Sequence, residues 1–194
     1  MNQAKADDGE LTRIEAAAAA PRGPSEKTRA EPRDCGHFDI HIDRDGSWFY
    51  RGTPINRASL VKLFSTVLER DAQGTYWLIT PAERGRITVD DVPFLAVELE
   101  RSGDGPDQEL IFRTNVGDFV TADAAHPLRI ATDPATATPR PYILVRNRLE
   151  ARLARPVFYS LVDWGVEERV GGATRFGVWS KGTFFPLDPP AESS

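Results

Sequence analysis

One cysteine, Cys35, and three histidines stand among 194 residues. A single thiol excludes an intramolecular disulfide and suits a reducing compartment, so the cytoplasm is the expected location. No apolar run approaches the ~20 residues that a membrane helix needs, so no membrane partner is expected. The alanines at 16–20 are too short and too weakly hydrophobic for a secretory signal core, and Lys5, Asp7, Asp8 and Glu10 precede them. Net positive charge is also lacking. The formal net charge of −5 argues against a whole-protein grip on a nucleic acid polymer or an anionic surface. Glycine-rich phosphate loops, Gly-x-Ser-x-Gly elbows and His-Glu-x-x-His motifs are missing too. No catalytic constellation is recognisable, so a non-enzymatic protein without a cofactor is the expectation.

A hydrophobic fraction of 40% and four Trp are enough for a core of ordinary size. Residues 1–33 contain no aromatic and include Pro21, Pro24 and Pro32, so they read as a mobile tail. Within them, "ELTRIEAAAAA" has good helix formers that Pro21 would stop. From Phe38 the pattern changes. Phe38, Ile40 and Ile42 alternate with polar residues, "RDG" turns the chain, and "SWFYR" returns it, which predicts a hairpin over 38–51. Asn56 is placed to cap a helix beginning near Arg57 and ending near Arg70, with Leu60, Leu63, Phe64 and Val67 on its apolar face. "TYWLIT" and "GRITVDD" read as strands, joined by "TPAE" as a capped tight turn with Pro81 at a first helical position.

The order β-β-α-β-β returns about a hundred residues on: "PYILVRN", "RLEARL", a helix opening at Pro156, and a closing hairpin of "TRFGVWS" and "GTFFPL". In that alignment "TYWLIT" and "RFGVWS" are equivalent. Between the two units, "FLAVELERS", "QELIFRTN", "DFVTAD" and "PLRIATD" suggest a meander. The expected organisation is an α+β fold with a tail at 1–33, an N-terminal β-β-α-β-β unit at 34–92, a larger C-terminal unit at 93–188, and a short tail at 189–194.

Five ordered motifs carry a resemblance: "DGSWFYRGTPINRASLVKLFSTVLERD", "TPAERGRITVDDVPF", "FRTNVGD", "LEARLARPVFYSLV" and "FGVWSKGTFFPL". Over roughly residues 36–187 the chain resembles the bacterial family known as domain of unknown function 1285. The resemblance implies an internal structural repeat, a C-terminal half similar to pleckstrin-homology folds, a ligand site between the halves for a nucleotide-like molecule, and a link to signalling. It also implies a Trp ahead of the first strand, where this chain has "EKTRAEP".

Three groups of residues are candidates for chemistry. His37, Asp39, His41, Asp43 and Asp45 alternate along the first strand. Yet His37 and His41 lie ~13 Å apart on an extended strand, and as a calcium loop the twelfth position falls on Gly52. They read as the solvated face of a hairpin, without metal. Glu83 stands three residues after Thr80, a capping spacing, and Cys35 has no basic neighbours in a cluster, so each reads as structural.

The third group is different. Arg140, Arg146, Arg148, Arg152 and Arg155 are opposed only by Glu150. On unbroken strands Arg146, Arg148 and Arg152 would share a face, and guanidinium groups grip phosphate in two-point fashion. A tight turn at Asn147 would scatter them, and a salt-bridged outer face is the plainer alternative. Arg113, Thr114 and Asn115 offer further donors, and Tyr159, Trp164 and Trp179 could stack a base. The expected function is a binding or sensor protein holding a small anionic, nucleotide-like ligand in a groove between its halves. An interaction adaptor with a protein partner, anchored by Trp164, is the alternative, and a hydrolase comes third.

Overall fold

The computed structural model describes residues 4–20 and 31–188, with side chains from residue 9. The chain divides into two compact units, Met1–Asp91 and Val92–Ser194.

The first unit contains α1 (Ala4–Ala19), β1 (Arg33–Ile42), β2 (Trp48–Tyr50), β3 (Thr53–Pro54), α2 (Ala58–Thr66), β4 (Leu68–Arg70), β5 (Tyr76–Ile79) and β6 (Glu83–Val89). Its six strands form one sheet in the order β3-β2-β1-β6-β5-β4, with β1 and β6 parallel at the centre. The expected hairpin is there, with Ile40 opposite Tyr50 and Ile42 opposite Trp48. Phe38, Ile40 and Ile42 are buried, and Trp48 packs its ring 6.3 Å from that of Phe64 on α2. Phe38 lies so close over Gly85 that an added Cβ would come within 2.6 Å of the ring, which is why β6 carries a glycine there.

The helix is shorter than its apolar spacing suggested. α2 stops at Thr66, and Leu68–Arg70 leave as β4, because Leu68 finds a ladder partner in Leu78. Its N-cap is Arg57, without a side-chain cap hydrogen bond, rather than Asn56. "TPAE" makes a turn and no helix. Thr80 Oγ1 accepts the Glu83 N–H at 3.0 Å and donates to the Glu83 carbonyl at 2.8 Å, so the capping pattern closes a link between two strands.

The mobile tail expected over 1–33 needs correction where it is described. α1 packs against α2 and buries Ile14 completely. Ion pairs surround that anchor: Arg13 with Glu83 at 3.1 Å, Glu15 with Arg57 at 2.5 Å and Glu10 with Arg51 at 3.5 Å. Tyr50 also donates to Glu10 at 2.9 Å. One isoleucine and a ring of charges replace the aromatic anchor whose absence suggested a loose segment. Residues 1–3, 21–30 and 189–194, which those expected tails include, lie outside the described residues.

The second unit holds β7 (Phe94–Ser102), a 3-10 turn at Gly105–Asp107, β8 (Glu109–Thr114), β9 (Phe119–Thr121), β10 (Leu128–Thr132), β11 (Pro139–Arg146) and β12 (Leu149–Leu153). Then come α3 (Arg155–Asp163), β13 (Val166–Val170), β14 (Ala173–Ser180) and β15 (Thr183–Pro186). The first six strands form a sheet in the order β10-β11-β12-β7-β8-β9, with β7 and β12 parallel at the centre. The last three form a sheet of their own.

The protein is therefore a mostly-β α+β fold, and the repetition differs from the one expected. Counting strands within each unit, the first sheet runs 3-2-1-6-5-4 and the second 4-5-6-1-2-3, the same order read from the opposite edge. In that frame "TYWLIT" on β5 corresponds to "PYILVR" on β11, not to "RFGVWS" on β14. The helix falls after the third strand in the first unit and after the sixth in the second. Helix position misled the alignment by element order, whereas hydrogen-bonded strand order relates the sheets.

Candidate functional site

The arginines decide where a ligand could sit. Arg146 pairs with Leu149 across a hairpin whose tip is Asn147 and Arg148, and Asn147 has a positive φ of 49°. The turn scatters the expected row. Arg146, at the end of β11, reaches Asp118 at 2.6 Å and lies 5.0 Å over the Phe94 ring. Arg148 is exposed at the tip. Arg152 sits on β12 directly opposite Tyr142.

The "FRTN" donors are likewise engaged. Arg113 pairs with Glu98, which holds the Glu98 carboxyl below its usual range through that hydrogen bond. Thr114 is fully buried, and its hydroxyl accepts the Asp118 N–H at 3.0 Å. Asn115 exchanges two bonds with the Leu95 backbone, at 2.8 and 3.0 Å. These three residues stitch the β8–β9 turn to β7.

The two tryptophans are committed as well. Trp164 caps the C-terminal end of α3 under the Arg101 guanidinium, 5.0 Å away. Trp179 donates to Glu168 at 3.3 Å and packs 5.4 Å from Phe184.

Arg152 and Tyr159 are the two expected site residues that the fold brings together. Both line a cavity of about 440 Å³ within the second unit, with Arg140, Arg155, Asp133 and Phe158. Three elements build it. The 133–138 loop is pinned by Asp133, whose carboxylate accepts the N–H groups of Ala135 and Thr136 at 2.8 and 3.1 Å and pairs with Arg140. Those bonds, the one from Ala135 foremost, hold the Asp133 carboxyl below its usual range, so it stays ionised beside Arg140. Arg140 and Arg152 come from neighbouring strands β11 and β12. Arg155 opens α3, which has Pro156 in its first turn, no acidic residue there and no side-chain cap.

That end of a helix presents unsatisfied N–H groups and partial positive charge. Arg155 is exposed, and its side chain makes no ion pair or hydrogen bond among the described residues. Tyr159 stands one helical turn along at the rim, 59% exposed. One ionised carboxylate, itself paired, faces three guanidinium groups and a helix N-terminus, so the cavity favours an anion. Arg140 and Arg155 were visible in the sequence as members of a charge cluster. Their convergence with Tyr159 depends on the β12-to-α3 corner, which strand and helix patterns do not specify.

The histidine row lies on the outward side of β1. His41 Nε2 is 2.8 Å from Asp90 with its ring stacked on Phe49, and His37 Nε2 is 3.3 Å from the Thr88 hydroxyl. Asp43 accepts the N–H groups of Asp45 and Ser47, both at 2.9 Å, and so closes the hairpin turn. Among the described residues, no three His, Cys, Asp or Glu side chains are grouped to hold a metal ion. Cys35 donates to Glu83 across 3.4 Å, and burial, reinforced by that carboxylate, pushes the thiol up. No described helix is long and apolar enough to cross a membrane.

Comparison with known proteins relates the chain to one family. Residues 27–92 match the N-terminal domain of unknown function DUF1285, and residues 93–187 match the DUF1285 C-terminal domain. The chain is similar to the crystal structure of a DUF1285 family protein from Silicibacter pomeroyi DSS-3, at 46% identity and a TM-score of 0.77, over 89% of this chain and 92% of that one. It is also similar to a DUF1285 family protein from Shewanella baltica OS155, at 28% identity and a TM-score of 0.53, over 65% of this chain and 91% of that one. No curated protein matches the chain.

Proposed function

The chain belongs to the DUF1285 family, and from that premise we propose that it is a non-enzymatic binding or sensor protein in signalling, holding a small anionic, phosphate-bearing ligand in its second unit. The observation that carries this reading is the convergence of Arg140, Arg152, Arg155 and Tyr159 around one cavity at the N-terminus of α3. A phosphate there meets guanidinium donors that match its geometry and keep their charge. Free N–H groups of a helix N-terminus supply the remaining donors. A cavity of about 440 Å³ is within the range of small-molecule sites, so a nucleoside monophosphate fits the volume with its base against Tyr159. The ligand site expected between the halves is thereby moved into the second unit. A pleckstrin-homology-like character of that unit, whose helix lies against its sheet at β7, is kept as part of the same proposal.

Thermal unfolding of the full chain with inorganic phosphate and with adenosine monophosphate tests it. Ligand at 100 times its Kd stabilises by about 2.7 kcal/mol, a readily measured rise in Tm. The rise is expected in wild type and absent in Arg152→Ala with Arg155→Ala. No rise with either probe, or the same rise in that variant, rejects the site. The adaptor reading has one observation of its own: Phe119, on the edge strand β9, is 66% exposed.

A further inference from the structure

β13 is an edge strand with a sequence that suits a second copy of itself. It occupies one side of the three-stranded sheet, and its partner β14 covers its other side. Gly171 and Gly172, both with positive φ, make a two-residue turn between Val170 and Ala173. In such a hairpin the residues flanking the turn exchange both backbone bonds, and the alternation continues back along the strand. Val170, Glu168 and Val166 therefore bond to β14, while the backbone groups of Glu167 and Arg169 point to the open edge. The Arg169 N–H accordingly rests on the Glu168 carboxylate at 3.1 Å and not on the ladder. Among the described residues, no other chain segment pairs with that edge.

The strand reads Val166-Glu167-Glu168-Arg169-Val170. Laid antiparallel on a copy of itself about Glu168, it puts Glu167 opposite the second copy's Arg169, and Arg169 opposite the second copy's Glu167. The same register sets Val166 against Val170 twice. The outward-facing backbone groups at 167 and 169 fall in the hydrogen-bonded positions, which closes four bonds. Val166 and Val170, 46% and 43% exposed, would be covered. The two Glu168 side chains meet at the twofold axis; each accepts its own Trp179 indole N–H at 3.3 Å, and its 3.1 Å bond from the Arg169 N–H is exchanged for the ladder when the strands pair. Charges on an edge strand ordinarily discourage pairing. Here their order is self-complementary about the strand's midpoint, so they select one register and one partner.

We propose that the protein forms a twofold dimer by antiparallel pairing of β13 with β13 of a second copy. Five residues a side bury little surface, so the association is weak and reversible.

Sedimentation velocity of the full chain over a concentration series tests this, with circular dichroism confirming that each variant is folded. Wild type is expected to shift from monomer to dimer as concentration rises. Arg169→Glu and Glu167→Arg each turn two attractive cross-strand pairs into repulsive ones, and each should weaken the dimer about tenfold or more. An equimolar mixture of those two variants restores complementary pairs and should dimerise, as should the double swap E167R with R169E. A wild type that stays monomeric up to about 1 mM, where even a weak specific association would be populated, overturns the proposal. So does an Arg169→Glu variant that dimerises like wild type, or a mixture of folded variants that does not associate.

Discussion

Ser180 donates a 2.6 Å hydrogen bond to the Ala122 carbonyl, and its oxygen accepts the Leu110 N–H at 3.1 Å. This one fully buried hydroxyl joins the end of β14 to two places around β8 and β9. Gln108, whose side chain donates to the Trp179 carbonyl at 2.7 Å, reinforces the joint. The small sheet is thus tied to the large one through a hydroxyl that donates and accepts at once, beside backbone bonds from Lys181 to Gln108 and from Gly182 to Pro106.

Changing Ser180→Ala strips a donor and an acceptor from buried partners. The expected loss is about 1–3 kcal/mol, since a buried group without its partner bears its full desolvation cost. Chemical denaturation followed by fluorescence measures it. A change below a few tenths of a kcal/mol would mean that the joint lies elsewhere.

Ile14 is expected to hold α1 in place. Truncating a fully buried isoleucine to alanine costs about 2–5 kcal/mol, while exposed ion pairs contribute little and are screened by salt. Ile14→Ala should therefore speed amide exchange over residues 9–20 far more than about 0.5 M salt does. Equal effects from both would show that the charges, not the isoleucine, fix the helix.

Arg146 and Arg148 lie outside the cavity that Arg152 and Arg155 line. Arg146 is engaged by Asp118 and the Phe94 ring, so Arg146→Ala should cost about 1 kcal/mol of stability and leave the phosphate response unchanged. Arg148→Ala, at the exposed hairpin tip, should change neither. Thermal unfolding with and without phosphate reads both quantities at once. A lost phosphate response in either variant would put the anion at the hairpin tip.

Asp71 accepts the Trp77 indole N–H at 2.9 Å and the N–H groups of Thr75 and Gln73 at 2.8 and 2.9 Å. These bonds, the indole's foremost, hold its carboxyl below the usual range. A depressed folded-state value makes the contribution complete above the unfolded pKa, near about 3.9, and removes it as pH falls through the folded value. The Trp77 indole resonance should stay fixed from neutral pH down to about that unfolded value and shift only below it. In Asp71→Asn the acid-induced shift should vanish. A shift centred near about pH 6 would assign it to another group.

The strands whose two faces differ were legible in the sequence, as Phe38, Ile40 and Ile42 show by alternating with exposed or half-exposed neighbours. β13 was not, because neither of its faces is buried enough to impose alternation. Through Val67 the helical spacing held, and then Leu68 turned into a strand because its partner, Leu78, lies ten residues on. Local pattern says nothing about such a partner. The binding residues divide the same way. Arg152 and Tyr159 were named from residue type alone, whereas Arg113, Trp164 and Trp179 were plausible until their neighbours, Glu98, Arg101 and Glu168, were seen to occupy them.

In each large sheet the two central strands are the first and the sixth of their unit, β1 beside β6 and β7 beside β12. A ribosome delivers those partners at opposite ends of the wait. Until residues 83–89 emerge, β1 has β2 on one side and nothing on the other; until 149–153 emerge, β7 has only β8. The outer strands can form hairpins as soon as they are made, but neither sheet has a middle before its last strand arrives. Closing that gap late carries the entropy of a long loop and slows folding. A chain halted at residue 82 would hold β1 and leave bare the edge that belongs at the centre of the sheet.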